Sequence, residues 1–207
     1  MRRFQVFILA VLAVIGVPAL ADVAAGKASY ATCMACHGAN GEGNAAMNGP
    51  RLTHLESVYI VAQLQKFKVG IRGGADASST AQQMAGMSAT LADDDAVMNV
   101  AAYIETLDSP ANAPTLEGDV ANGADHYNQF CGACHGATAD GNTALNSPRL
   151  AGADDWYLLA QLQAFKAGTR GAHPEDRTGR QMRAMASLLA DEKTMQDVVS
   201  FISSIEK

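Results

Sequence analysis

The segment Cys33-Met34-Ala35-Cys36-His37 returns 98 residues later as Cys131-Gly132-Ala133-Cys134-His135. The repetition reaches far beyond those five residues. Residues 33–107 align with 131–205 without a gap, with 32 identities in 75 positions, so one structural solution has to serve twice. Two thiols one short turn apart can each close a thioether on a haem vinyl group, and the adjacent imidazole then lies beneath the iron. An isolated Cys-x-x-Cys also suits a thioredoxin-like redox pair or half of a zinc site. Neither accounts for what is seen: redox-pair chemistry does not need the following His, and a four-thiolate zinc site does not duplicate its surroundings. The chain is therefore expected to carry two covalent haems, on Cys33, Cys36, Cys131 and Cys134, with His37 and His135 as proximal ligands. These are all four cysteines of the protein.

The two halves share Gly-Asn, Pro-Arg-Leu and the run Gln-Leu-Gln-x-Phe-Lys-x-Gly-x-Arg-Gly, which spans 63–73 and 161–171. Between them, residues 108–118 carry Pro110, Pro114 and small polar residues, a linker composition. No alternating apolar run argues for strands. Ile60, Leu64 and Phe67 instead form a helical stripe, repeated by Leu158, Leu162 and Phe165. Closing stripes follow at Val97, Val100, Ile104 and Leu107, and at Met195, Val198, Ile202 and Ile205. Ahead of each haem motif a short helix is expected, with Gly26 and Tyr30, or Gly123 and Tyr127, four apart. The glycines would let the closing helix cross closely, at Tyr103 or Phe201. Each half then reads as a first helix, a haem motif, a long loop, a middle helix, a second loop and a closing helix.

Met1-Arg2-Arg3, the apolar run from Phe4 to Val17 and the small-x-small box Ala19-Leu20-Ala21 have the form of a cleaved export signal. The run is short for a membrane-spanning anchor. About 186 residues then remain from Asp22, enough for two small domains. Without Arg2 and Arg3, 13 basic side chains stand against 21 acidic ones, a formal charge of −8. That balance disfavours nucleic acid and anionic lipid as partners. Asp93-Asp94-Asp95 reads as a helix start, where acidic groups suit the dipole, and not as a metal site. Glycines 38–43 lack the flanking strand and helix of a dinucleotide site.

What fills the second face of each iron separates electron transfer from chemistry on a bound molecule. If both sites are built alike, that ligand recurs at one offset. Of nine methionines only Met84 with Met182, and Met87 with Met185, recur. They do so although 74–79 and 172–177 share nothing. His54, His126 and His173 have no histidine counterpart, so paired histidine ligation in both halves is disfavoured. Thioether sulfur is a soft neutral donor, and His/Met ligation raises the haem potential.

These features resemble the dihaem cytochrome c4 family of bacterial periplasmic electron carriers over essentially all of the mature sequence. The match rests on the two haem motifs, the Pro-Arg-Leu blocks, Tyr-x-x-x-Gln-Leu at 59–64 and 157–162, and Met-x-x-Met before Leu-Ala-Asp. The resemblance implies an all-α protein of two tandem class I cytochrome c domains, 22–107 and 119–207, joined by a linker at 108–118 behind a signal at 1–21. It favours Met84 and Met182 over Met87 and Met185 as iron ligands. It implies that the Pro50 and Pro148 carbonyls accept a hydrogen bond from the proximal imidazoles. Arg51, Arg149, Arg72 and Arg170 recur and can pair with haem propionates, although exposed helix-end arginines would recur equally well. The implied role is single-electron transfer in the periplasm, where haem is attached, from a quinol-oxidising complex to a terminal oxidase or reductase, with peripheral membrane association at most. The alternatives are the haem subunit of a periplasmic dehydrogenase such as a sulfide dehydrogenase, or a dihaem peroxidase. The last needs two unlike haem environments, and the halves are nearly alike.

Overall fold

The computed structural model describes residues 21–205; the expected export signal, Ala21 excepted, lies outside the described residues. Among the described residues the regular structure is helical, with two isolated bridges, Asn44–Gly49 and Asn142–Ser147. In each half a first helix crosses a closing one. Helix α1 (Val23–Tyr30) starts where the Asp22 carboxylate accepts the Ala24 and Ala25 N–H groups, and Asp119 does the same for α6 (Val120–Phe130). The closing helices, α5 (Asp94–Glu105) and α10 (Glu192–Ser204), are capped by Asp93 and Asp191. The Asp93 run is thus a helix start, as its charge pattern predicts.

Gly26 and Gly123 mark the crossings. A Cβ on Gly26 would lie 2.0 Å from the Asn99 carbonyl oxygen, and one on Gly123 would lie 1.9 Å from that of Asp197. Backbone meets backbone here, with Tyr30 against Tyr103 (ring centroids 5.4 Å apart) and Tyr127 against Phe201 (5.3 Å). The middle helices, α3 (Ser57–Lys68) and α8 (Asp155–Ala167), lay Ile60 and Leu64, or Leu158 and Leu159, onto Val97, Val100 and Ile104, or Val198, Val199 and Ile202. Leu162, expected in the buried stripe, is only partly buried; Leu159 takes its place.

The expected second loop is in each half partly a helix, α4 (Ser79–Ser88) and α9 (Arg177–Ala186). Their sequences, Ser-Thr-Ala-Gln-Gln-Met-Ala-Gly-Met-Ser and Arg-Thr-Gly-Arg-Gln-Met-Arg-Ala-Met-Ala, are rich in polar residues, with only methionines and alanines on the apolar side. Caps from Ser78 and Asp176 start them, and their two methionines, three apart, share one face. Residues 107–119 carry no helix. This stretch is strapped down by Asp155, which accepts the Leu116 N–H at 2.6 Å and the Thr115 hydroxyl at 2.9 Å. Asn112 bridges the Glu42 carbonyl of the first half to Asp154 of the second. Among the described residues no helix is long and apolar enough to cross a membrane.

Candidate haem sites

Each Cys-x-x-Cys-His motif is a one-turn helix, α2 (Met34–His37) and α7 (Gly132–His135), set directly behind α1 or α6. The turn closes as the His37 and His135 N–H groups reach the Cys33 and Cys131 carbonyls, both at 2.9 Å. It ends at Gly38 and Gly136, whose φ of +81° and +82° favours glycine. The Tyr30 hydroxyl donates to the Gly38 carbonyl at 2.8 Å, and Tyr127 to Gly136 at 2.7 Å. The first helix is thereby pinned to the end of the motif that carries the histidine.

Both imidazoles are buried. His37 Nδ1 lies 2.7 Å from the Pro50 carbonyl oxygen, and His135 Nδ1 lies 2.9 Å from that of Pro148. A carbonyl only accepts, so Nδ1 carries the proton and Nε2 keeps its lone pair for a metal. Burial also lowers the pKa of both rings, which favours the neutral, ligating form. The first thiol of each motif is shifted the other way. Burial, with Cys134 adding to it, pushes Cys131 up to about 11, and burial raises Cys33. A thioredoxin-like nucleophile needs a depressed pKa, so these sulfurs do not fit that alternative. Among the described residues no cluster of three His, Cys, Asp or Glu side chains is placed to hold a metal ion.

A cavity of about 470 Å³ at the first motif is lined by Cys33, Cys36, His37, Met84 and Met87 together, and second-half residues such as Trp156 and Tyr157 close its far side. Its other walls include Leu64, Phe67, Val100 and Ile104, a mostly apolar lining with a few polar groups, as a large flat cofactor requires. Met84 packs against the buried core, while Met87 is 37% exposed. None of His54, His126 and His173 lines the cavity. The second half repeats the chain path, with buried His135 on α7 and half-buried Met182 on α9.

The four recurring arginines separate into two kinds. Arg51 is tied to the rest of the protein: Nη1 donates to the Gly152 carbonyl at 2.8 Å, Nε to Ser109 Oγ at 3.3 Å, and Nη2 to the Ser109 carbonyl. Its counterpart Arg149 has a buried Nε with no partner and Asp140 only 3.6 Å from Nη2. Arg72 and Arg170 meet across the domain boundary and both line the cavity. Arg72 donates to Gln63 at 2.8 Å, Tyr157 at 2.9 Å and Gln161 at 3.1 Å. Arg170 mirrors it on Gln161, Tyr59 and Gln63. Each guanidinium also sits over a phenylalanine, Phe67 or Phe165, 4.4 Å from the ring centroid. They are not exposed helix ends. Burial and then the facing Arg170 lower the Arg72 pKa, whereas for Arg170 burial is outweighed by Tyr59, Tyr157 and the nearby Asp176, which raise its pKa; among the described residues no carboxylate forms a direct ion pair with either arginine. Two facing cations whose direct hydrogen-bond partners are neutral fit a pair of acidic groups on a bound cofactor. Tyr59, Gln63, Tyr157 and Gln161 stood out in the sequence as the repeated Tyr-x-x-x-Gln-Leu motif, but nothing there marked them as partners of the arginines.

Both halves match the cytochrome c family model, over residues 23–108 and 120–206. Cytochrome c4 of Azotobacter vinelandii is 31% identical across 99% of this chain and 100% of its own length. The chain belongs to the cytochrome c4 family. A thiosulfate dehydrogenase electron acceptor of Thiomonas intermedia (strain K12) is 33% identical over 84% of this chain and 82% of its own. The crystal structure of reduced recombinant cytochrome c4 from Pseudomonas stutzeri superposes with a TM-score of 0.69 and 26% identity, covering 90% of this chain and 100% of that one. As a cytochrome c4 the chain carries two covalently bound haem c groups in an all-helical pair of cytochrome c domains. It is an electron carrier and not an enzyme.

Proposed function

We propose that Cys33 with Cys36, and Cys131 with Cys134, anchor one haem each, and that the irons are held by His37 and Met84, and by His135 and Met182. The observation that carries this reading is the single cavity bringing both cysteines, the Nδ1-anchored imidazole and Met84 together. Each haem, when bound, supplies an iron that alternates between the ferric and ferrous states. The protein does the rest. Pro50 and Pro148 fix the imidazole rings and strengthen them as donors. The Met84 and Met182 sulfurs would hold the irons together with the imidazoles, and as soft donors they would favour the ferrous state and leave no iron site for substrate. Arg72 and Arg170 offer their charge to the propionates, held in place by the tyrosines and glutamines around them.

The chain then works as a periplasmic shuttle, loaded by a quinol-oxidising or sulfur-oxidising donor and unloaded at a terminal oxidase or reductase. The relative named as a thiosulfate dehydrogenase electron acceptor supports a dehydrogenase as donor. A ferric spectrum with the weak far-red sulfur-to-iron band is the expected result for the purified protein; its absence contradicts the methionine assignment. Rapid peroxide turnover would favour the peroxidase alternative. A flavoprotein copurifying in fixed ratio would favour the dehydrogenase-subunit one.

The arginine pair gives a further expectation. A cation beside an iron that gains positive charge on oxidation raises its potential. Arg72→Gln is expected to lower at least one midpoint potential by on the order of 50 mV, the size of one charge at ~10 Å in a partly buried site. A redox titration that resolves the two centres reads this, and unchanged potentials in both Arg72→Gln and Arg170→Gln contradict the placement.

A further inference from the structure

Halves built on one repeat would give similar centres, yet at one place three departures from the repeat converge. Lys66 stands where the second half has Ala164, Asp176 where the first has Ser78, and Gly179 where the first has Ala81. In space they form one cluster across the domain boundary. Lys66 Nζ, on α3 of the first domain, lies 2.7 Å from Asp176 Oδ1 and 2.7 Å from Thr178 Oγ1, at the start of α9. The same Asp176 oxygen accepts the Gly179 N–H at 2.9 Å and caps α9. Its side chain is 4% exposed and that of Lys66 20%. A Cβ on residue 179 would lie 2.0 Å from Asp176 Oδ2, so glycine there is what lets the carboxylate fold back over the helix start. The equivalent corner of α4 has no such tie. Exposed Ser78 accepts the Ala81 N–H at 3.3 Å and shares a hydrogen bond with exposed Thr80, and no lysine approaches from α8, where the position is Ala164.

We propose that Lys66 is a positioning residue for the second centre: from the first domain it holds the helix that bears Met182. The inference rests on the reading of Met182 as an iron ligand and adds that its hold depends on the neighbouring domain. A nearly desolvated carboxylate bonded to an ammonium group resists separation, and removing one partner leaves the other charge buried and uncompensated. Helix α9 is therefore restrained across the boundary and α4 is not. The two centres, equal in ligands, differ in how readily the methionine yields to an outside ligand.

The test is an imidazole titration of the ferric dihaem protein, with the ligand-methionine methyl resonances of the two centres followed separately by NMR. Lys66→Met is expected to raise the apparent imidazole affinity of the second centre about tenfold, the scale of one lost charge-assisted contact, and to leave the first unchanged. Lys66→Arg is expected to restore behaviour close to the parent. Asp176→Asn, which keeps a cap acceptor and removes only the charge, is expected to show the same selective rise and serves if Lys66→Met does not fold. An equal rise at both centres, or none at the second, overturns the proposal. A parent protein showing a single methionine resonance instead of two overturns the Met182 reading itself, before any variant is made.

Discussion

A chain in which Cys33, Cys36, Cys131 and Cys134 are all replaced by serine is expected to fail to fold, with far-ultraviolet dichroism close to that of an unfolded chain. The cavity walls show why. At the first haem motif a cavity of about 470 Å³, which also reaches residues of the second half such as Tyr157 and Arg170, is bordered by core side chains such as Leu64, Phe67, Val100 and Ile104. Without the cofactor these apolar walls face water, which costs several kcal/mol on the scale of ~25 cal/mol per Å² of apolar surface. The whole stability of a domain this small is about as large. Leaving out the cofactor thus strips the filling from between the apolar faces that α3, α4 and α5 turn to the cavity. Native-like dichroism and a cooperative thermal transition in the serine variant would show that the helices are stable by themselves.

The second large effect is at the helix crossings. Gly123→Val is expected to destabilise the second domain by about 3 kcal/mol or more, and Gly26→Val the first by a similar amount. No rotamer change can relieve these contacts, because the atoms in the way are the backbone carbonyls of Asp197 and Asn99, at 1.9 Å and 2.0 Å from the new Cβ. The helices must separate, which pulls Tyr127 from Phe201, or Tyr30 from Tyr103, and loosens the tyrosine bond to the haem motif. Denaturant melts of the holo-protein check this. A loss under 1 kcal/mol at both positions would mean the crossings are less tight than described.

Those crossings were legible in the sequence, since glycine four residues before a tyrosine in both copies has few other uses. The apolar stripes of α3, α5, α8 and α10 were legible too, because a helix buried on one face shows its period. Helices α4 and α9 were not. They bury little of their own and lie against the haem site, so their polar sequences look like loop. The roles of Arg51, Arg72, Arg170 and Lys66 were equally hidden, since each acts on a residue in the other half or in the linker. Repetition reveals what both copies share, but not how they pack on one another. The pairing of Lys66 with Asp176 joins residues 110 positions apart. Only their departure from the repeat marked them.

The account stands on each iron being held between an imidazole nitrogen and a thioether sulfur. The most direct measurement is a redox titration with far-red absorption on Met84→Ala and Met182→Ala, made singly. Each exchange is predicted to remove about half of the sulfur-to-iron band and to lower one of the two midpoint potentials by on the order of 100 mV, within the roughly 0.8 V that axial ligands command. Full bands and two unchanged potentials in both variants would contradict it.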